Sequence, residues 1–119
     1  MKVKQVVDAL PSLRKLAKQD MSIKKIYKIS KLLGNLEVEI AFYDEQRSRI
    51  LSKYCDIVGN QYVPRKEDED KLNAELGELL NTEIECDIKE VVIGSDEDIK
   101  LSYNDVVALE GFVVIEGEE

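Results

Sequence analysis

Residues 26–57 read IYKISKLLGN LEVEIAFYDE QRSRILSKYC DI, and the apolar residues of this stretch decide the fold. Ten positions, which we call the heptad seam, are separated by alternating steps of three and four: Ile26, Ile29, Leu33, Leu36, Ile40, Tyr43, Arg47, Ile50, Tyr54 and Ile57. Such alternation is typical of a helix that packs along one side. The pattern predicts one helix over residues 22–57, about 50 Å long at about 1.5 Å per residue.

Two shorter segments predict helices that can cover this seam. Residues 3–19 repeat apolar side chains at threes and fours, although Pro11 among them predicts a kink or a break. Residues 67–81 begin with four acids, which suit the positive end of a helix dipole, and continue with leucines on one side. Each segment has about half the length of the long helix. We therefore expect both to fold back antiparallel and to bury the seam within one chain.

A short helix is predicted near the C-terminus. Ser102 and Asp105 stand at the spacing of a capping box, and the helix should run over residues 101–110. Gly111 then provides a stop signal. Residues 112–115 form an apolar run that is either a last strand or an extension of this helix.

The remaining C-terminal residues predict a small β element. Apolar and acidic residues alternate over residues 83–88, which indicates a half-buried strand, and residues 91–93 indicate a second strand. The fold class is therefore α+β, mainly α. We expect a single domain over residues 1–119, with a helical bundle over 1–81 and a small C-terminal extension over 82–119 packed on it.

The long helix carries a second apolar patch on the side opposite the seam. Gly34, Val38, Ala41 and Phe42 recur there at helical spacing. A surface helix with two apolar sides is expected to contact something on each of them. Two alternatives remain open: the C-terminal segment of the same chain covers the patch, or the patch is an interaction surface for self-association or for a partner protein.

Arg47 is the one plainly polar position of the seam. A single buried polar residue in a heptad seam can fix the register of packed helices. The acidic segment downstream offers Asp70, Glu75 or Glu78 as a partner. We therefore predict a structural role for Arg47, not a catalytic one.

The net charge of −8 is divided unevenly along the chain. Residues 1–57 hold twelve Lys and Arg against seven Asp and Glu, whereas residues 58–119 hold five against eighteen. Either the two halves pair internally, or an acidic face is presented to a basic partner. The candidate acidic face consists of Glu67, Asp68, Glu69, Asp70, Asp96, Glu97 and Asp98.

Motifs that carry chemistry are absent from the sequence. It has no His, no glycine-rich phosphate loop and no nucleophile beside a base at a recognisable spacing. Cys55 and Cys86 are too few ligands for a zinc site, and the acid clusters lack the spacing of a calcium loop. We predict no enzyme activity, no cofactor and no metal, and two reduced, at least partly buried cysteines.

Several short stretches, taken in order, resemble a known group of proteins. They are ALPSLRKLA at residues 9–17, YDEQR at 43–47, ILSKY at 50–54, EIECDI at 83–88 and LSYNDVVALE at 101–110. The chain resembles a family of small uncharacterised proteins from tailed phages and prophages of Gram-positive bacteria, often encoded among structural or tail genes. The resemblance implies a phage context, and it brings no activity and no catalytic residues.

Two functions fit these features. The first is a non-enzymatic structural, assembly or protein-interaction module with a protein partner or self-association. The second is an acidic inhibitor or DNA mimic acting on a host nucleic-acid enzyme. We do not expect nucleic acid as a partner, because Tyr27 is the only aromatic residue near the N-terminal lysines. No run of eighteen apolar residues exists to span a membrane. We expect the host cytoplasm, with virion association left open.

Overall fold

The computed structural model describes residues 1–85, 88–94 and 98–116. Within them the chain is α+β and mainly helical, with four α-helices and two small two-stranded sheets, which confirms the predicted fold class. In chain order the elements are α1 (Val3–Ala17), α2 (Ile23–Tyr54), β1 (Cys55–Val58), β2 (Gln61–Pro64), a 3-10 turn (Lys66–Asp68), α3 (Glu69–Leu80), β3 (Val91–Ile93), α4 (Tyr103–Ala108) and β4 (Val113–Ile115).

Helix α2 is the longest element and begins where the sequence predicts. The Ser22 side chain accepts a hydrogen bond from the Lys25 amide and so satisfies one of the first free donors of the helix. The 32 residues that follow span about 48 Å at about 1.5 Å per residue, close to the 54 Å length of the molecule. The helix ends at Tyr54, before the predicted end at Ile57.

A β-hairpin that the sequence pattern did not predict replaces the last expected helical turn. Strands β1 and β2 pair antiparallel, with Ile57 opposite Tyr62. Gly59 opens the two-residue turn with a φ of +65°, which the first position of a type II′ turn requires. Ile57 and Val58, which precede Gly59 and Asn60, are β-branched and favour a strand. They therefore favour this hairpin over another turn of helix. Ile57, the last seam position, is therefore exposed on a strand.

Helix α1 continues through Pro11, so a break at this residue is wrong. Proline in a helix removes one hydrogen bond and crowds the preceding turn, at a cost of about 3 kcal/mol. Pro11 itself is exposed, whereas Leu10 and Leu13 near it are buried. Burying one leucine side chain contributes roughly 1.5–3 kcal/mol, so the apolar side of α1 offsets the proline.

The main core lies between α1, the first half of α2 and the C-terminal segment. Ile29, Leu36 and Phe112 are fully buried in it. Residues 113–115 form a strand that pairs in parallel with β3. Of the two alternatives for the apolar run at residues 112–115, a last strand is therefore confirmed over an extension of the preceding helix. The buried core residues are Val6, Ala9, Leu13, Leu16, Ile29, Leu32, Leu36, Val91, Ile93, Leu109, Phe112 and Val113.

A second, smaller core joins α3 to the end of α2. It contains Leu51, Cys55 and Leu72, with Leu76 packed against it. Cys55 is buried, as predicted, while Cys86 lies outside the described residues. Each half of α2 therefore has its own apolar cluster.

Arg47 lies between the two cores, and its predicted burial is wrong. Its side chain is exposed, and Glu75, one of its expected partners, instead accepts a hydrogen bond from Lys53 at 3.0 Å. Helices α1 and α3 have 15 and 12 residues, fewer together than the 32 of α2. The seam is therefore not covered continuously, and an arginine in the uncovered part stays hydrated.

The predicted strand over residues 83–88 is wrong in its described part. Only one bridge forms, between Lys2 and Glu83, and residues 86–87 lie outside the described residues. Two backbone hydrogen bonds flank this bridge, from the Ile84 amide to the Met1 carbonyl and from the Val3 amide to the Thr82 carbonyl, each at 2.9 Å. Glu83 also accepts a hydrogen bond from the Met1 ammonium group at 2.9 Å, which holds the N-terminus in place.

Asp105 ties α4 to α1. Its carboxylate accepts hydrogen bonds from the Lys15 ammonium at 2.6 Å, the Ser12 hydroxyl at 2.8 Å and the Ser102 amide at 3.0 Å. The Ser102 hydroxyl accepts in return from the Asp105 amide, which confirms the predicted capping box. Lys15 first, and then Ser102 and Ser12, hold the pKa of the Asp105 carboxyl well below its usual range.

Replacing Asp105 with Asn should destabilise the fold at neutral pH and make its stability less sensitive to acid. Because the folded-state pKa is depressed, the carboxylate contributes fully above the ordinary Asp pKa of about 3.9, and its contribution declines as the pH falls below that value. Urea unfolding followed by circular dichroism should therefore show a smaller difference between wild type and Asp105→Asn at about pH 3 than at about pH 7.

Asp8→Asn is the matched control, since the Asp8 carboxylate makes only an exposed ion pair with Lys4. This variant should change stability little, as exposed pairs contribute about 0–1 kcal/mol. An equal loss of stability in Asp105→Asn at both pH values would contradict the role assigned to the carboxylate.

Candidate interaction surface

The outer side of α2 carries an uncovered row of apolar residues. We call Gly34, Val38, Ala41 and Phe42 the outer face, because steps of three and four residues return to one side of a helix. Val38 is 70% exposed and Phe42 46%. Apart from the backbone of α2 itself, a β-carbon placed on Gly34 would meet no atom within 4 Å. Within the described residues, the expectation that the C-terminal segment covers this patch is therefore wrong.

Two further apolar residues continue the outer face toward the start of α2. Tyr27 precedes Gly34 by seven residues and is 63% exposed, and Ile23 precedes Tyr27 by four and is 84% exposed. Neither residue belongs to the patch predicted from the sequence. Ala41 and Gly34 are seven residues apart, and the same step toward the N-terminus leads from Gly34 to Tyr27. This spacing was the signal in the sequence that could have identified Tyr27. Exposed apolar side chains therefore occur on this side from Ile23 to Phe42, over about two-thirds of the helix, with Ser30 and Gly34 between Tyr27 and Val38.

A shallow cavity of about 390 Å³ lies beside Phe42, between α2 and α3. Lys53 and Glu75 line it and are joined by the hydrogen bond between them. The Tyr54 hydroxyl and the Lys53 ammonium hold the pKa of the Glu75 carboxyl below its usual range. The cavity therefore presents a carboxylate whose Oε1 accepts from Lys53, while its buried Oε2 has no hydrogen-bond partner among the described residues, next to the apolar ring of Phe42.

The start of α2 carries positive charge beside the outer face. A second cavity, of about 490 Å³, is lined there by Tyr27, Lys28 and Lys31, and the Lys31 ammonium lies 5.9 Å from the centre of the Tyr27 ring. Lys25 turns away and donates a hydrogen bond to the Val92 carbonyl. In the part of the chain that the structure describes, the lysines at the start of α2 form no ion pair with an acid.

The candidate acidic face is only partly assembled by the described residues. Residues 67–70 are consecutive at the start of α3, and all except Asp68 are exposed. Asp68 is half-buried because it accepts a hydrogen bond from Arg65 at 2.9 Å. Asp98 is exposed as well, while residues 96–97 lie outside the described residues. Of the seven acids, the described residues therefore expose four: Glu67 in the 3-10 turn, Glu69 and Asp70 in α3, and Asp98.

Arg65 has a structural role that the sequence analysis missed. Its guanidinium donates hydrogen bonds to Asp68, to Asp56 at 3.3 Å and to the Lys53 carbonyl. The signal in the sequence is Asp68, three residues after Arg65. Side chains at this spacing are neighbours on a helical turn and can form an ion pair. These bonds fix the hairpin to the end of α2 and to the start of α3.

Residues 1–85, 88–94 and 98–116 contain neither a metal-binding cluster nor a membrane-spanning helix. No group of three His, Cys, Asp or Glu side chains lies close enough there to hold a metal ion. The helices of this part include none that is both long and apolar enough to cross a membrane.

Comparison with known proteins gives no match for this chain. No protein-family model, no curated protein and no solved structure resembles it. The resemblance to phage proteins therefore stays a prediction.

Gly34→Ala should stabilise the folded chain by about 0.5–1 kcal/mol, because alanine is a better helix former and the site has room for a methyl group. Urea unfolding in dilute solution measures the change. Gly111→Ala is the control with the opposite sign: Gly111 has a φ of +89°, and its new β-carbon would lie 3.2 Å from Met1 Cε. A loss of stability in Gly34→Ala would contradict the open surface described above.

Proposed function

We propose that the chain is a non-enzymatic protein-interaction module, of the structural or assembly type, that docks on a protein through the outer face of α2. The observation that carries this proposal is the exposure of Val38 and Phe42 on the longest helix, whose opposite side contributes Ile29, Leu36 and Leu51 to the two cores. Removing a valine or phenylalanine side chain from water contributes roughly 1.5–3 kcal/mol. Apolar residues at helical spacing on an exposed helix fit a protein partner.

The way α2 is held supports this use of its outer face. We propose that α1 and α3 run antiparallel to α2 and cover its inner side, one on each half. Each of them shares an apolar cluster with α2. A helix supported in this way presents its other side already ordered, so docking does not have to offset the entropy of forming the surface.

The phage resemblance supplies the biological setting of the proposal. A small module encoded among structural or tail genes would act in the host cytoplasm during particle assembly, or as part of the virion. Its partner would be a protein, with neither nucleic acid nor a membrane involved. Isolation of purified particles and detection of the chain in them distinguish the virion from the cytoplasm.

Photocrosslinking from the outer face tests the proposal. A chain with p-benzoylphenylalanine in place of Val38 should give one conjugate of defined mass in lysate of the source cells, identified by mass spectrometry. Excess wild-type chain should suppress that conjugate. Excess chain carrying Val38→Asp and Phe42→Asp should not, because a carboxylate resists transfer into an apolar contact.

The matched control carries the same crosslinker in place of Lys71, which is exposed on α3. This chain should not give the conjugate. Equal capture from both positions, or no capture from Val38, would refute docking through the outer face. Circular dichroism of each variant verifies that the helices remain folded.

A specific observation favours one second candidate, an acidic inhibitor or DNA mimic acting on a host nucleic-acid enzyme. Glu67, Glu69 and Asp70 are exposed, and no ion pair within the described residues joins them to a lysine or arginine. Unpaired carboxylates on one surface can attract the basic cleft of an enzyme that binds a phosphate backbone.

Neutralising these acids separates the second candidate from the first. The wild-type chain should inhibit at least one enzyme of a panel consisting of an RNA polymerase, a DNA gyrase and a restriction endonuclease, assayed on duplex DNA at low salt. The variant Glu67→Gln, Glu69→Gln and Asp70→Asn should lose most of that inhibition. Absence of inhibition by wild type, or equal inhibition by the variant, would count against the mimic.

A further inference from the structure

We propose that the occupant of the outer face is a second copy of this chain, bound with its α2 antiparallel to the first and crossing it at Gly34 and Asn35. This inference rests on the proposed function, because it names the partner of that same surface. The order of charges along α2 carries the inference. Two copies of this helix match opposite charges when they lie antiparallel, and like charges when they lie parallel.

The charges of α2 fall into two blocks of equal length around the crossing point. Residues 23–33 contain four lysines and no acid, and residues 36–46 contain four acids and no base. Lys25 is turned toward Val92, so three lysines remain available on the first block: Lys24, Lys28 and Lys31. Glu39 is half-buried, so three exposed acids remain on the second: Glu37, Asp44 and Glu45.

This order of charges favours antiparallel pairing. When two copies of α2 cross at Gly34 and Asn35, the basic block of each lies at the same level along the helix axis as the acidic block of the other, with Glu45 the exposed acid nearest to the lysine side of the helix. The two-fold symmetry repeats this attraction between the blocks. Parallel pairing in register would place lysines against lysines and acids against acids, which is unfavourable. The charges therefore select the orientation.

The apolar residues of the outer face fit the same register. Tyr27 and Phe42 stand at equal distances on either side of the crossing point, so Tyr27 of each copy faces Phe42 of the other. Aromatic pairs of this kind contribute about 0.5–1.5 kcal/mol beyond the area they bury. Gly34 lies at the crossing point itself, where the absence of a side chain lets the helix axes approach closely.

The expected dimer depends on salt. Its ion pairs lie at the rim of the contact, where exposed pairs are weak and are screened at high ionic strength. Two Tyr27–Phe42 contacts provide the apolar part, which salt does not screen. We therefore expect self-association to be tightest at low salt and to weaken by at least about tenfold in variants that reverse one charge block.

Sedimentation equilibrium of two charge-reversed chains tests the inference. The first carries Lys24→Glu, Lys28→Glu and Lys31→Glu, so both of its blocks are acidic. The second carries Glu37→Lys, Asp44→Lys and Glu45→Lys, so both of its blocks are basic. Wild type should dimerise at low salt, each reversed chain should be monomeric, and an equimolar mixture should form a heterodimer. Circular dichroism of each reversed chain verifies that its helices remain folded.

A third chain controls for net charge. Lys66→Glu, Lys71→Glu and Lys100→Glu change the charge by the same amount as the first variant, at exposed positions outside α2. This chain should dimerise like wild type. A monomeric wild type, dimers of either reversed chain alone, or a mixture that stays monomeric would each overturn the inference.

The crosslinker at Val38 distinguishes failure of this inference from failure of the proposed function. In an antiparallel dimer the conjugated peptide should come from a second copy and should map near Lys31, which lies as far before the crossing point as Val38 lies after it. A conjugate with a different protein, combined with a monomeric chain, would refute self-association and leave docking through the outer face standing. If Val38 captured neither, both proposals would be wrong.

Discussion

The apolar side chains on the inner side of α2 hold the fold together, because both cores are built on them. Ile29 and Leu36 are fully buried in the core that α1 and the C-terminal segment complete, and Leu51 is buried with Leu72 of α3. The two partner helices use the inner side of α2, so its outer side has no cover within the described residues. The surface that we propose for docking is thus a direct consequence of how the core is built.

The same helix combines two properties that together suggest a use. An apolar row from Ile23 to Phe42 provides free energy for a contact, and the basic and acidic blocks on either side of Gly34 provide a direction for it. Apolar burial alone is not directional, whereas charge order distinguishes one orientation of a partner from the other. The arrangement at Asp105 serves a different purpose, because it holds α4 on α1 and so closes the main core.

Local patterns predicted the structure wherever one element could satisfy them by itself. The seam identified α2, and the Ser102 and Asp105 pair identified α4 with its capping box. Prediction was wrong where a competing contact decided the outcome. Helix α1 retains Pro11 because the leucines beside it are buried, and the end of α2 becomes a hairpin because Gly59 turns the chain there. The outer face was found by spacing, although its full length was not.

Periodicity within single segments was enough to predict the long helix, the mainly helical fold class, the β3 strand and the apolar patch of Gly34, Val38, Ala41 and Phe42. The exposure of Arg47 and of Val38 and Phe42 in this patch became evident only from the packing of the described residues. Both depend on how much of α2 is covered by helices elsewhere in the chain. Burial is a property of packing between distant segments, and no spacing within α2 records it.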